Sequence, residues 1–300
     1  MVALVNLERI VCFINGDRGV AVLSSLILAG YKVVAVVTTS QKRVELNPQA
    51  TNNCVFEQLE VSNVNDPDVI SELSLLSPSI FIVAGFSHIF GSALLGVPRF
   101  GTLNLHAGRL PQYRGGSPLN WQLINGESQA GISVIQADDG IDTGRILAED
   151  WIPIDPETTI LELHKKANIL FPKLVLEALA CIERGESGCP QLEDLASYWH
   201  QRSDADGKIS FREMTASQVD LMVRALTRPY PGAWCFYHNK LLRIFSVKIP
   251  NFVLRGVPGR LCFIQGRGPY VICSDRAVLL TEYKIESATS ESLSHGDYLL

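Results

Sequence analysis

The sequence predicts an α/β domain built on a parallel sheet, followed by a smaller β-rich domain, and three observations predict it. Over the first half of the chain, short wholly apolar runs alternate with segments of helical spacing. Strands too apolar to face water belong in a parallel sheet covered on both faces. After residue 200 the character changes to short apolar runs separated by Gly and Pro, the pattern of antiparallel β-structure. Finally, 300 residues with 47% hydrophobic and 19% charged side chains are enough for two cores.

Residues 10–14 read as a buried strand ending in the turn Asn15-Gly16-Asp17, residues 20–28 as a helix stopped at Gly30, and residues 32–37 as a β-branched strand. Residues 68–76 have helical spacing and 79–84 form the next strand; 102–105, 118–124 and 132–135 continue as strand, helix and strand. Thr159 and Glu162 have capping-box spacing ahead of a long helix to about Arg184, with a kink due at Pro172. Gly185 and Gly188-Cys189-Pro190 end the first domain, giving residues 1–190, a linker at 191–205 and a second domain at 206–300. In the second domain, 217–226 read as a helix, and 234–237, 242–247, 259–263, 270–273 and 278–281 as strands of a small barrel or open sheet.

The net charge of −5 argues against nucleic acid as the main partner. The longest apolar run, 20–30, is too short to cross a bilayer, and the opening residues carry no basic stretch of a signal peptide, so a cytoplasmic protein is expected. The seven cysteines are scattered without a CxxC spacing, which points to buried free thiols and no metal site.

Asn15-Gly16-Asp17-Arg18-Gly19 follows the first strand but lacks GxGxxG, and neither GxxxxGK[ST] nor GxSxG occurs. Chemistry concentrates instead in residues 102–144. Asn104 and His106 alternate with Leu103 and Leu105, so both polar side chains share one strand face. They sit toward the strand's C-terminal end, where α/β sheets bind ligands. An amide donor beside an imidazole suits stabilising an oxyanion and moving a proton. Asp142, between Gly140 and Gly144, is placed to orient that imidazole. Taken singly, the same residues also read as a polar pair at a sheet end and a turn aspartate.

The linked series changes that balance. Asn104-x-His106, Leu110-Pro111-x-Tyr113-Arg114-Gly115, Asn125-Gly126-Glu127, Gly131-x-Ser133 and Ile141-Asp142-Thr143-Gly144 together resemble the 10-formyltetrahydrofolate-dependent formyltransferases. Residues 224–233 and the β-rich tail resemble the smaller C-terminal domain of the methionyl-tRNA and sugar-nucleotide members, so the resemblance covers nearly the whole chain. It implies a Rossmann-like catalytic domain, an OB-like second domain, 10-formyltetrahydrofolate as co-substrate, and Asn104, His106 and Asp142 as the catalytic set. It also implies a folate pocket at Phe86, Ser87, His88, Ile89, Leu110 and Gly140, with acceptor contacts from Tyr113, Arg114 and Gly115. Arg114 would meet a phosphate or brace its loop, Trp121 would pack helix to sheet, and Arg228 would join the domains.

For the acceptor, three readings compete: an amino sugar on a nucleotide diphosphate, methionyl-tRNA, or a silent binding module. The last is disfavoured because Asn104, His106 and Asp142 are all present. Residues 39–63, where tRNA enzymes carry a basic insertion, hold only Lys42 and Arg43 against Glu45, Glu57 and Glu60. Residues 201–300 carry 13 basic and 9 acidic side chains, and residues 1–200 carry 13 and 22. With the wording of residues 113–121, this favours a nucleotide-linked amino sugar, with methionyl-tRNA as the alternative. A terminal β-domain is also compatible with a homodimer.

Overall fold

The computed structural model describes residues 7–39, 54–286 and 292–300. Along the first part of the chain run β1 (Ile10–Ile14), α1 (Gly16–Leu28), β2 (Val33–Thr39), β3 (Glu57–Val61), α2 (Pro67–Leu75), β4 (Ile80–Ala84), α3 (Ser92–Leu95) and β5 (Thr102–His106). Then come β6 (Arg114–Gly115), α4 (Pro118–Ile124), β7 (Gln129–Gln136), β8 (Arg145–Pro153), α5 (Ile160–Glu183) and β9 (Tyr198–Trp199).

Seven strands form one sheet in the order β3-β2-β1-β4-β5-β7-β8. From β3 to β5 every pairing is parallel, with Ile14 beside Ala84 and Val83 beside Asn104. β7 runs antiparallel to β5, so the sheet is mixed rather than wholly parallel. The strands β3 and β8, absent from the sequence reading, are its two edges. Their partly exposed Glu-Gln-Leu-Glu-Val and Arg-Ile-Leu-Ala-Glu-Asp-Trp-Ile-Pro lack the apolar run of a buried strand.

Strand alternation divides the core. Val11 and Phe13 pack with Leu73 of α2 and Leu94 of α3 on one face. On the other face, Gly19 brings α1 against Ile14, where any β-carbon would clash. Arg18 ties α1 to α5 through Nε to Asn168 Oδ1 at 3.1 Å, its guanidinium 4.8 Å from the Phe171 ring centre. α5 continues through Pro172, flanked by the buried Phe171, Leu174 and Val175.

Two compact units emerge: Met1–Pro118, Gly131–Ile152 and Lys165–Tyr198 form one, and Leu119–Ala130, Pro153–His164 and Trp199–Leu300 the other. In the second, Asn120 Nδ2 donates to Ala225 O at 2.8 Å. Trp121 lies tilted against Trp199, with ring centres 4.9 Å apart, and under the Arg202 guanidinium. The helix α6 (Ala216–Leu226) starts at a Thr215/Gln218 capping box. The strands β10 (Ala233–Tyr237), β11 (Lys240–Lys248), β12 (Leu261–Ile264), β13 (Arg267–Ile272) and β14 (Ala277–Ile285) form an antiparallel sheet, ordered β10-β11-β14-β13-β12.

Both edges of that sheet are taken up by the C-terminal segment. Phe236 and Leu300 exchange N–H···O bonds at 2.7 and 2.9 Å. On the other edge, Leu261 N–H reaches Asp297 O at 2.8 Å and Leu299 N–H reaches Gly259 O at 2.9 Å. The tail therefore closes the sheet into a barrel and removes its open edges. Arg228 pairs with Glu282 and lies over Phe245, both in its own unit, so the expected role as interdomain glue is not what holds its side chain.

Four cysteines are buried, but Cys54 and Cys189 are exposed, so the expectation of uniformly buried thiols fails there. Burial pushes the Cys235 and Cys273 thiols up to about 12. Among the described residues no helix is long and apolar enough to cross a membrane.

Candidate active site

The C-terminal ends of β1, β4 and β5 lie along one edge of the sheet, and there the polar residues gather. Asn104 and His106 are two residues apart on β5, and His106 pairs in register with the buried Ser133 of β7. Their shared face meets Asp142. Asn104 Nδ2 donates to Asp142 Oδ1 at 3.2 Å, and His106 Nδ1 lies 3.4 Å from Asp142 Oδ2. The Gly115 N–H donates to Asp142 Oδ2 at 2.9 Å, so both carboxylate oxygens are engaged.

On the other side of the ring, His106 Nε2 lies 2.6 Å from the Tyr113 carbonyl oxygen. A carbonyl only accepts, so Nε2 carries a proton in this contact. Both ring nitrogens thus face oxygens, an arrangement suited to holding an imidazolium. The site is largely withdrawn from water: the His106 side chain is 6% exposed and that of Asp142 12%.

Local backbone geometry makes this convergence possible. Gly108 leaves room for the imidazole, since a β-carbon there would lie 2.6 Å from the Tyr113 oxygen and closer still to Nε2. Asp142 itself has φ +54°, a left-handed conformation that aspartate adopts more readily than most non-glycine residues.

Residues 113–115, expected to contact the acceptor, each make contacts within the chain. The Tyr113 side chain is buried and offers the site its carbonyl, while Gly115 offers its N–H to Asp142. Arg114 is fully buried. Its guanidinium forks onto Glu193 at 2.7 and 3.0 Å and also reaches Tyr198 Oη at 2.9 Å and Gln191 Oε1 at 3.0 Å. These bonds hold the Glu193 carboxyl below its ordinary value. Arg114 is a brace, because a guanidinium already buried and forked on a carboxylate is not presented to an acceptor phosphate.

The expected folate residues divide. The Phe86 side chain belongs to the core, edge-on to Phe13 with ring centres 5.6 Å apart. Ser87 and Ile89 are exposed, and His88 is half-buried, with Nδ1 buried and lacking a hydrogen-bond partner. Asn65 pins this loop, donating to Ile89 O at 2.9 Å and accepting from Gly91 N–H at 2.7 Å. Leu110 is buried in the segment leading to Tyr113, and Gly140 is exposed on the turn leading into Asp142. Gly108, Gln191 and Glu193 escaped the sequence reading; a single glycine and two polar residues beyond the first domain carry no local signal.

Comparison with known proteins gives the family. The formyl transferase profile matches residues 8–179, and the formyl transferase C-terminal domain profile matches residues 202–295. Methionyl-tRNA formyltransferase of Citrifermentans bemidjiense is 33% identical over 301 residues, covering 97% of this chain and 92% of that protein. The enzyme of the same name from Geobacter sulfurreducens is 32% identical, covering 88% and 85%. An N-formyltransferase of Helicobacter canadensis, solved with folinic acid and dTDP-3-aminofucose, superposes with a TM-score of 0.67 over 92% of this chain and 99% of that one. At 17% identity that likeness shows the fold alone.

These findings overturn the nucleotide-sugar acceptor expected from charge and loop wording, and with it the argument against nucleic acid. The relatives that share sequence over nearly the full length are tRNA enzymes, while sugar enzymes enter through fold. Net charge summed over 200 residues was a poor discriminator because binding depends on where charges lie, not on their total. Lys42 and Arg43, on which part of that expectation rested, lie outside the described residues. With both profiles matched in order and relatives above 30% identity along the whole chain, this protein belongs to the formyltransferase family, enzymes that draw their formyl group from 10-formyltetrahydrofolate.

Proposed function

We propose that the chain is a methionyl-tRNA formyltransferase of the cytoplasm, moving the formyl group of 10-formyltetrahydrofolate to the α-amine of methionyl-tRNA. The observation that carries this reading is sequence identity of 31–33% to methionyl-tRNA formyltransferases across both domains. The donor's pterin would lie against residues 85–90, where the unpartnered His88 Nδ1 and the exposed Ser87 suit a polar heterocycle.

In the reaction the neutral amine attacks the formyl carbon, a new C–N bond forms, and the carbonyl oxygen takes negative charge. The Asn104 amide, one N–H of which holds Asp142, turns its other toward that oxyanion; such donors supply about 3–4 kcal/mol. His106 takes the proton that the amine loses onto Nδ1, because Nε2 already holds a proton against the Tyr113 carbonyl. The charged ring is held by Asp142 and the Tyr113 carbonyl, and it returns the proton to the folate nitrogen as the C–N bond to the donor breaks.

The test is formation of formylmethionyl-tRNA from charged initiator tRNA and 10-formyltetrahydrofolate. Turnover that depends on both substrates is expected. No transfer to methionyl-tRNA, with the folate bound, would overturn the acceptor.

A further inference from the structure

Residues 180–201 lie between the two regions that match the family, and the sequence reads 191–205 as a linker. Its contacts are not those of a linker. Gln191 Nε2 donates to the carbonyl oxygens of Asp142 and Gly144, both at 2.7 Å, while Gln191 Oε1 accepts from Arg114 Nε at 3.0 Å. Six residues on, Ser197 N–H donates to Pro111 O at 3.1 Å and its hydroxyl donates to Gln112 O. The Ser197 carbonyl accepts from Arg114 N–H at 3.1 Å.

One short stretch is therefore bonded to both loops that build the site. The first loop supplies the Tyr113 carbonyl to His106 and the Gly115 N–H to Asp142. The second carries Asp142, at φ +54° in the left-handed region. Gln191 is the side chain that bridges them. Its amide leaves no choice of orientation, because the nitrogen must face two carbonyls and the oxygen a guanidinium.

We infer that Gln191 is a positioning residue for Asp142, and that residues 191–198 act as a strap setting the spacing of His106 and Asp142. The inference rests on reading Asn104, His106 and Asp142 as the catalytic set and is independent of the acceptor. Misplacing a reacting group by about 1 Å can cost about a hundredfold in rate. A carboxylate whose backbone is pinned on one side and whose oxygens are pinned on the other is spared that loss.

Two substitutions test it in the full-length protein. Gln191→Glu keeps length and the acceptor for Arg114 but removes the donor to both carbonyls; Gln191→Met removes every bond. The readouts are the ring 15N shifts of His106 in the free enzyme at fixed pH, and kcat and KM for formyl transfer. In both variants the His106 shifts should move toward those of Asp142→Asn, with kcat lower by about tenfold or more and KM little changed. Wild-type ring shifts and kcat in Gln191→Glu would overturn the assignment, whatever happens to the stability of Gln191→Met. The ring shifts need no acceptor, so failure of the tRNA reading would be seen separately, as a wild type inactive on methionyl-tRNA with its His106–Asp142 coupling intact.

Discussion

Gly108 and His106 are so close that the imidazole occupies the space a β-carbon on residue 108 would need. The Gly108 carbonyl also accepts from the buried Ser133 hydroxyl at 3.2 Å, so the backbone there has little room to retreat. Gly108→Ala should push the ring off the Tyr113 carbonyl and lower kcat by about tenfold to a hundredfold. Steady-state kinetics beside a thermal melt checks this; a variant with wild-type kcat would show that the ring tolerates the displacement.

Removing the reacting groups themselves should cost more. His106→Ala or Asn104→Ala should lower kcat by at least about a hundredfold with the fold retained, the usual scale for a proton-transfer group or an oxyanion donor. Circular dichroism and turnover with methionyl-tRNA read this together. Near-native turnover in either variant would remove that residue from the mechanism.

The acceptor predicts a salt dependence. A tRNA engaging six or more phosphates should bind on the order of a thousandfold more weakly at about 200 mM than at 50 mM salt. Fluorescence titration of methionyl-tRNA across that range supplies the slope. A flat profile would contradict recognition through the nucleic-acid backbone.

Acid should weaken the barrel unit through Asp204. Arg243 forks onto Asp204 at 2.6 and 2.7 Å, and this hydrogen bonding holds the Asp204 carboxyl below its ordinary value. A depressed folded-state pKa gives stability that is present above the unfolded value and lost as pH falls through the folded one. Asp204→Asn should therefore melt below the wild type at pH 7, with the gap closing as pH falls below about 4. Because Asp204 is half exposed, solvent screening keeps the effect near 1 kcal/mol or less. An equal gap at both pH values would mean that the pair contributes no charge-dependent stability.

The tail that closes the barrel should matter for folding. Leu299 is 2% exposed and lies between the two sheet edges. Leu299→Ala should cost about 2–4 kcal/mol by leaving a cavity, visible as a lower urea midpoint. A change within error would show that edge closure is carried by the backbone bonds alone.

The sequence by itself determined what depends on local pattern. The apolar runs at 10–14 and 79–84 correspond to β1 and β4, because buried parallel strands need continuous apolar residues. Alternation along β5 puts Asn104 and His106 on one face. It could not show β3 and β8, whose edge positions leave them polar, nor that β7 would run antiparallel to β5. It also could not choose the acceptor from the motifs that serve formyl transfer, since enzymes with different acceptors share that chemistry. Only the tertiary structure decided that Arg114 turns inward to Glu193, that Gly108 yields its space to the imidazole, and that Gln191 holds the Asp142 loop. The physical reason is separation along the chain. Gln191 stands 49 residues from Asp142, and no period of 2.0 or 3.6 residues reports a hydrogen bond that only the folding of two distant loops onto one edge of the sheet creates.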